Sequence, residues 1–465
     1  MISQGNGGEL SLPAGHGRKG PEEALVTMRR SPDPVNSVTS LPAMRWKRLL
    51  PIAFVTYSFA YLDRSNYAIG APGGLEKTLH ITSAESGLLG GLFFIGYFLF
   101  QVPAGDYAER HSVRKLTFWS LLAWGVLAAL QGVLPSFGLL LADRFFLGVV
   151  EAVVLPTMLV FLSHWFTRPE RGRADAILIL GNPVTLMWMS VVSGYLIAAT
   201  SWRWMFIIEG VPAIIWAFIF RAVVDDRPAD ASWLSGRDQD AVTRALDAED
   251  AATPEPDNRW ALLRSPAVVV LSAQYLLWSI GVYGFVFWLP TIVAGLTRQG
   301  IGTTGALSAV PYAAAVLVML VVSRLSDRSG RRRAFVWLPL AVAAAAFYAS
   351  YLVGNSSFTT SFVLLIVAAA AMYAPYGPYF AFIPELMPRT SAGPAVGLIN
   401  AFGGLGGFAG TYLVGWLGGG SGAAFVFLAS CLLASALLMF LVRQPVAMSQ
   451  APSRQAAARS RPSTA

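Results

Sequence analysis

Charge is what this sequence has least of. Asp, Glu, Lys and Arg make up 13% of its 465 residues, against roughly a quarter in ordinary soluble domains. The shortage is uneven: charges cluster between long apolar runs, a pattern that the core of one large soluble domain would not repeat every twenty residues or so. Cysteine is almost missing. Cys431 stands alone, which excludes a disulfide within the chain and a thiolate metal site. It reads as a small lipid- or core-facing residue. Histidine is scarce too: His16 lies near the start, and His80, His111 and His164 lie at the edges of apolar runs without ligand spacing. No metal is expected. A Gly-Lys-Ser/Thr loop that cradles phosphates is also lacking, which removes direct ATP drive. No cofactor and no catalytic constellation are expected, so the chain does not read as an enzyme.

What is abundant is apolar length. Hydrophobic residues reach 55%, and twelve apolar segments can be drawn: 47–71, 84–108, 114–134, 136–166, 173–199, 203–224, 267–294, 303–326, 332–354, 358–384, 391–418 and 421–442. Lengths near twenty without two-residue alternation indicate helices and not barrel strands. The expected fold is an all-α membrane protein with 12 transmembrane helices in two six-helix bundles. Residues 1–45 are rich in Gly, Ser and Pro and lack the short apolar core of a secretory signal, so they read as a disordered tail. The expected domains are 46–224 as the first bundle, 225–265 as a linker too short for a core of its own, 266–443 as the second bundle, and 444–465 as another disordered tail.

The net charge of +8 follows from topology and does not call for a nucleic acid. Of the 34 basic residues, Lys77, Arg203 and Arg298 fall in loops of one face, and Arg64 and Arg144 fall inside helices. The other 29 belong to the tails, the linker and the loops of the opposite face. Basic residues are retained on the cytoplasmic side, which places both termini there.

Inside the first apolar run lies Tyr61-Leu62-Asp63-Arg64-Ser65-Asn66. Ionisable residues within hydrocarbon usually face a bundle interior or an aqueous path and mark a functional site. Asp63 follows Lys47 by sixteen residues, roughly 24 Å along a helix. Glu151 precedes Phe166 by fifteen, roughly 22 Å by the same rise. Two carboxylates on different helices therefore reach one level. Arg144 stands two turns from Glu151 on the same face; it either assists with an anion or neutralises an acid. Carboxylates beside arginines suit coupled movement of a proton and an anion, because an entering anion competes for the arginine. Further polar candidates are Tyr97 and Gln101, one turn apart, Asn182 beside Pro183, and Asn400 among glycines. Each of these suits a cavity or a helix–helix contact equally. Tyr373, Pro375, Tyr376, Pro378 and Tyr379 mark a proline-broken segment, either a kink or a gate.

An internal repeat supports the two-bundle reading. Gly105-Asp106-Tyr107-Ala108-Glu109-Arg110-His111-Ser112-Val113-Arg114-Lys115 follows the second segment. Ser323-Arg324-Leu325-Ser326-Asp327-Arg328-Ser329-Gly330-Arg331-Arg332-Arg333 follows the eighth. Both are tight basic loops with an acid–Arg pair, able to cap helix ends and bind neighbouring helices on the inner face. Glu385, at the inner end of the tenth segment, is an expected partner of the basic loop.

These loops resemble the signature G-x-x-x-D-R/K-x-G-R-R/K of the major facilitator superfamily. The second copy matches from Asp327 onward, with Ser323 where the leading Gly would be; in the first, Glu109 replaces Asp and Ser112 replaces Gly. Within that superfamily the chain looks like the anion:cation symporters of organic and sugar acids. The stretches that carry this are Tyr61–Asn66, Arg144-Phe145-Phe146-Leu147-Gly148-Val149-Val150-Glu151-Ala152 and Trp202-Arg203-Trp204-Met205-Phe206-Ile207-Ile208-Glu209-Gly210-Val211-Pro212. Asp226-Arg227-Pro228-Ala229-Asp230, Tyr283-Gly284-Phe285-Val286-Phe287-Trp288-Leu289-Pro290, and Gly397-Leu398-Ile399-Asn400 through Gly407 also match.

The resemblance implies the major facilitator fold and a proton-coupled importer of a small organic anion, a sugar acid or related carboxylate. It implies that Arg64 meets the substrate, that Asp63 and Glu151 carry protons, and that Tyr97, Asn182 and Asn400 line the cavity; the position of Arg144 alone makes it a candidate further substrate contact. The inner gate would use Gly105, Glu109, Arg110, Asp327, Arg328, Gly330 and Arg331. A bacterial inner membrane and a monomeric state fit the same family. An exporter of hydrophobic or cationic compounds is the alternative on this fold, and Arg64 and Arg144 argue against it.

Overall fold

The computed structural model describes residues 41–251, 265–297, 299–386 and 392–442. The tail expected before residue 41, the tail at 444–465, linker residues 252–264 and Arg298 lie outside them. Twelve main helices follow in order: α1 (Met44–Ser65), α2 (Ser83–Arg110), α3 (Val113–Leu130), α4 (Phe137–Ser163), α5 (Arg168–Ala199), α6 (Trp202–Val223), α7 (Pro266–Thr297), α8 (Ile301–Ser329), α9 (Ala334–Val353), α10 (Phe358–Glu385), α11 (Ala392–Trp416) and α12 (Gly422–Leu438). Among the described residues, nine helices are long and apolar enough to cross a membrane by length and composition alone. The charged α1, the glycine-rich α11 and the shorter α12 complete the set expected from the sequence.

The starts of these helices are written in small polar residues. Thr82 and Glu85 form a reciprocal capping box at α2, and Ser112, Ser136, Ser201, Ser357 and Ser421 cap α3, α4, α6, α10 and α12 through their hydroxyls. Each satisfies a backbone N–H that would otherwise lack a partner. Between α6 and α7 the described part of the linker forms its own helix, Gly236–Ala251. Glu249 there reaches Arg171 at the start of α5, 3.4 Å away. That contact marks one end of the bundle as the linker face.

Three helices are interrupted, and proline accounts for the breaks in α4 and α10 and for the widened turn that follows α1. Pro156 offers no N–H to the carbonyl of Ala152, and α4 divides into Phe137–Glu151 and Val154–Ser163. Pro378 leaves the Ala374 carbonyl without its partner, and α10 divides into Phe358–Tyr373 and Tyr376–Glu385. Pro72 cannot serve Ala68; α1 continues past Ser65 only through short turns, including a widened one at Ala71–Leu75. The break after Glu151 thus divides the apolar run 136–166.

The two halves, α1–α6 and α7–α12, meet most closely away from the linker face. There α5 crosses α8 and α2 crosses α11 at backbone contact. A Cβ on Gly305 of α8 would lie 2.2 Å from the Ser190 carbonyl of α5, and one on Gly415 of α11 would lie 2.4 Å from the Ser83 carbonyl of α2. Only glycine allows these approaches. At the linker face the described ion pairs stay within one half: Arg45 with Glu170, and Arg332 with Asp327 and Glu385. The far end is therefore the closed end.

Gly305→Ala should force α8 away from α5 and lower stability by about 1–3 kcal/mol, as overpacking does. Thermal unfolding in detergent should show the loss, while Gly138→Ala, whose added methyl meets nothing within 4 Å, leaves the transition in place. An unchanged Gly305→Ala transition would contradict the tight crossing.

Candidate functional site

The site begins where α1 passes α4 at the level of the α4 break. Arg64 and Glu151 are both buried, and the guanidinium donates from Nη2 and Nε to Glu151 Oε2 at 3.0 and 3.3 Å. Glu151 is 0% exposed, and its second oxygen, Oε1, has no partner. Rings fill the other sides of Arg64: its guanidinium carbon lies 4.5 Å from the Tyr97 ring centre, 4.9 Å from Tyr61 and 5.2 Å from Phe93. Such faces attract a cation that has left water.

Asp63 points elsewhere, as neighbouring helical residues do. Its Oδ2 accepts a hydrogen bond from the indole N–H of Trp124 on α3, and its Oδ1 has no partner. Arg144 is buried against the same turn. It donates to the Leu89 carbonyl at 3.3 Å and to the Asp63 backbone carbonyl at 3.4 Å, over the rings of Tyr67 and Phe93. The structure thus pairs Arg64 with Glu151 and keeps Arg144 on backbone and rings. Asp63 and Glu151, which the sequence reading grouped as one layer, have different partners.

The polar candidates fall around this centre. Tyr97 accepts from Gln101 at 3.2 Å. The amide of Asn182 donates to the Tyr61 hydroxyl and accepts from Tyr373 at 3.5 Å. Tyr61 in turn meets Tyr283 of α7, oxygen to oxygen at 3.0 Å. A chain of hydrogen bonds therefore runs from α1 and α5 across to α7 and α10. Asn400 is half-buried on α11 and makes no side-chain hydrogen bond among the described residues. Beside Arg64 a small cavity of about 10 Å³ is lined by Ser65, Ala68, Gly90, Phe94, Tyr283, Val286, Phe287 and Thr411. That is room for about one water, so the two halves are shut around the arginine.

The expected gate residues gather at the linker face. Gly105 is half-buried against Pro156, and Glu109 and Arg110 are exposed at the end of α2. Asp226, after α6, caps α3 by accepting from Ser112 Oγ and from the Arg114 N–H at 2.7 Å. In the second half Asp327, Arg328, Gly330 and Arg331 are exposed, and Gly330 ends α8 with φ +67°. Arg332 is the residue that holds the loop: it binds Asp327 and, at 3.1 Å, Glu385. Glu385 was expected to meet the basic loop; Arg332 had been assigned no role.

Sequence reasoning passed over several buried groups. Trp124 gave no signal, since an indole in an apolar run is ordinary. Asp143 did give one: Asp143-Arg144 repeats the Asp63-Arg64 doublet in a second apolar run. Asp143 is buried, and neither of its carboxylate oxygens has a partner. Glu209 of α6 is buried as well, accepting from Ser193 Oγ at 2.6 Å and from the Asn66 amide at 3.1 Å. It ties the end of α1 to α5 and α6. Among the described residues no cluster of His, Cys, Asp and Glu could hold a metal ion.

Comparison with known proteins agrees with this architecture. The family model described as "Major Facilitator Superfamily" matches residues 53–411 and 295–464. A "Putative tartrate transporter" of Agrobacterium vitis is 29% identical over 407 residues, covering 85% of this chain and 93% of its own. A "Quinolone resistance transporter" of Acinetobacter baumannii is 29% identical over 411 residues, covering 85% and 93%. The crystal structure of a bacterial homologue of the human lysosomal transporter Spinster superposes with a TM-score of 0.66 at 18% identity, covering 84% of this chain and 94% of that one. Twelve helices in two halves, charges buried within the first and the family match lead to one conclusion: the chain is a multi-pass membrane transporter of the major facilitator superfamily.

Proposed function

We propose that this transporter carries a small organic anion, a sugar acid or related carboxylate, inward together with protons by alternating access. The observation that carries the reading is the Arg64–Glu151 pair with the Glu151 Oε1 left open. A substrate carboxylate arriving at Arg64 competes for the same N–H donors. Once Arg64 turns to the substrate, Glu151 is a buried charge without a partner, a state that costs several kcal/mol. Protonation removes that cost, so taking up the anion and taking up a proton become one event. Asp63 serves as a second proton carrier with the Trp124 indole as its fixed donor, and Arg144 steadies the negative end of the site through the α1 backbone.

Alternating access is supported by the two-half arrangement, whose tightest crossings lie at the far end. The excess of basic residues supports a cytoplasmic linker face with both termini on that side. The bacterial relatives support an inner-membrane location, and the name of the tartrate relative supports a carboxylate cargo. The name of the quinolone relative favours export as the second reading. Two buried arginines and a cavity beside one of them favour an anion over a cation.

Uptake of labelled carboxylates into proteoliposomes, with and without an inward proton gradient, tests the coupling. The gradient should accelerate uptake; equal rates, or a gradient effect only with sodium, would reject proton symport. Arg64→Ala should remove substrate binding. Glu151→Gln should keep exchange of one anion for another and lose gradient-driven accumulation. Trp124→Phe removes a donor that favours the charged form of Asp63. The pH profile of gradient-driven uptake should therefore change, and an unmoved profile would take Asp63 out of the coupling.

A further inference from the structure

The two halves differ in kind. Six ionisable groups lie deep in the membrane part, and all belong to the first half: Asp63 and Arg64 on α1, Asp143, Arg144 and Glu151 on α4, and Glu209 on α6. Helices α7, α9, α11 and α12 contain no charged residue, and in α8 and α10 the charges sit at the linker-side ends. A cargo gripped at one end by Arg64 thus finds no second cation across the site. A dianion would leave one charge buried and unpaired there.

The second half supplies aromatic surface. Tyr283, Val286, Phe287 and Thr411 form its side of the cavity, facing Phe94 and Gly90. Tyr283 meets Phe94 edge to face at 4.6 Å, and Phe287 stacks on Tyr67 at 5.3 Å and 22°. Phe287 also fills the space over Gly90, where a Cβ would lie 2.0 Å from its ring. Behind this wall the rings of Tyr275, Trp278, Tyr376 and Tyr379 continue in mutual contact.

Apart from Ser65, which lines the cavity with no side-chain hydrogen bond among the described residues, most hydroxyls and amides near it are already engaged with protein. Tyr61, Tyr283, Asn182 and Tyr373 bond to one another, Gln101 bonds to Tyr97, and Thr411 Oγ1 donates to the Gly407 carbonyl at 2.9 Å. A polyhydroxylated chain would have to break those bonds to form its own. A flat ring needs none of them broken, because it meets faces and edges.

We propose that the preferred cargo is a monocarboxylate with a flat, unsaturated ring, its carboxylate on Arg64 and its ring between Phe94, Tyr283 and Phe287. This rests on the carboxylate reading of the site and narrows it. The carboxylate end is read by the charged half and the ring by the uncharged half, so only a cargo with one charge at one end satisfies both.

Binding to the purified full-length transporter in detergent tests this, with 4-hydroxybenzoate, D-galactonate and tartrate as probes followed by calorimetry or thermal shift. The expected result is 4-hydroxybenzoate binding at least tenfold tighter than either of the others. Phe287→Leu, which keeps bulk and removes the ring face, should weaken 4-hydroxybenzoate by about tenfold, and Arg64→Ala should remove its binding. D-galactonate or tartrate binding as tightly as 4-hydroxybenzoate, in an Arg64-dependent way, would overturn the ring preference and leave the carboxylate reading standing. Undiminished 4-hydroxybenzoate affinity in Phe287→Leu would likewise overturn the ring seat. Absence of Arg64-dependent binding for all three would overturn the carboxylate reading itself, and the ring preference with it.

Discussion

A buried guanidinium shared between a carboxylate and a water-sized space is the constraint on which the rest of this structure depends. Arg64 cannot leave the membrane interior, and Glu151 is wholly enclosed. Each is tolerable only because the other is there. Yet the pair is incomplete, since both donors of Arg64 go to one carboxylate oxygen and the other oxygen has none. Rings of Tyr61, Phe93 and Tyr97 hold the guanidinium in place without neutralising it. A fully satisfied ion pair would be a structural rivet. One that is held in position, buried and left partly unsatisfied can exchange partners.

The backbone is adapted to the same place. Breaks after Ser65 and after Glu151, and the one before Tyr376, lie in helices that contribute to the site. A regular helix fixes the direction of every side chain through its hydrogen-bond ladder; a proline removes one rung and leaves a short hinge. Glu151 is the last residue before such a hinge in α4. Its backbone can therefore turn without bending the whole span, while the glycine crossings at the far end keep α2 on α11 and α5 on α8. The helix breaks lie at the level of the charges, and the glycine crossings at the level where the halves seal.

Much of this was legible in the sequence, for identifiable reasons. The twelve helices followed from apolar run length, which hydrocarbon thickness dictates. Asp63, Arg64, Arg144 and Glu151 stood out because charge in hydrocarbon is rare. The partner assignment was not legible. Helical geometry shows that Asp63 and Arg64 diverge, but it does not say that Asp63 meets Trp124 on α3 or that Arg64 crosses to Glu151. Both depend on how far each helix is rotated about its axis, which is set by packing along its whole length. The Tyr61–Asn182–Tyr373 chain was hidden for the same reason. Asp143 was visible as a charge in an apolar run, yet its bare carboxylate oxygens emerge only from the packing around it.

The concentration of charge in one half has a mechanical consequence. When two halves rock, interactions between them are broken and remade, while interactions within each half persist. Here the groups that handle charge, Arg64 with Glu151, Asp63 with Trp124 and Glu209 with Ser193 and Asn66, are all within the first half. Contacts at the site that cross between halves are rings and neutral hydroxyls, such as Phe94 on Tyr283, Tyr67 on Phe287 and Tyr61 on Tyr283. Separating neutral groups costs far less than separating buried ions. The charge network thus lies within one half and is not cut when the halves part in the proposed cycle. A bundle pair joined by cross-half ion pairs would instead have to re-form its charge network at every turn of the cycle.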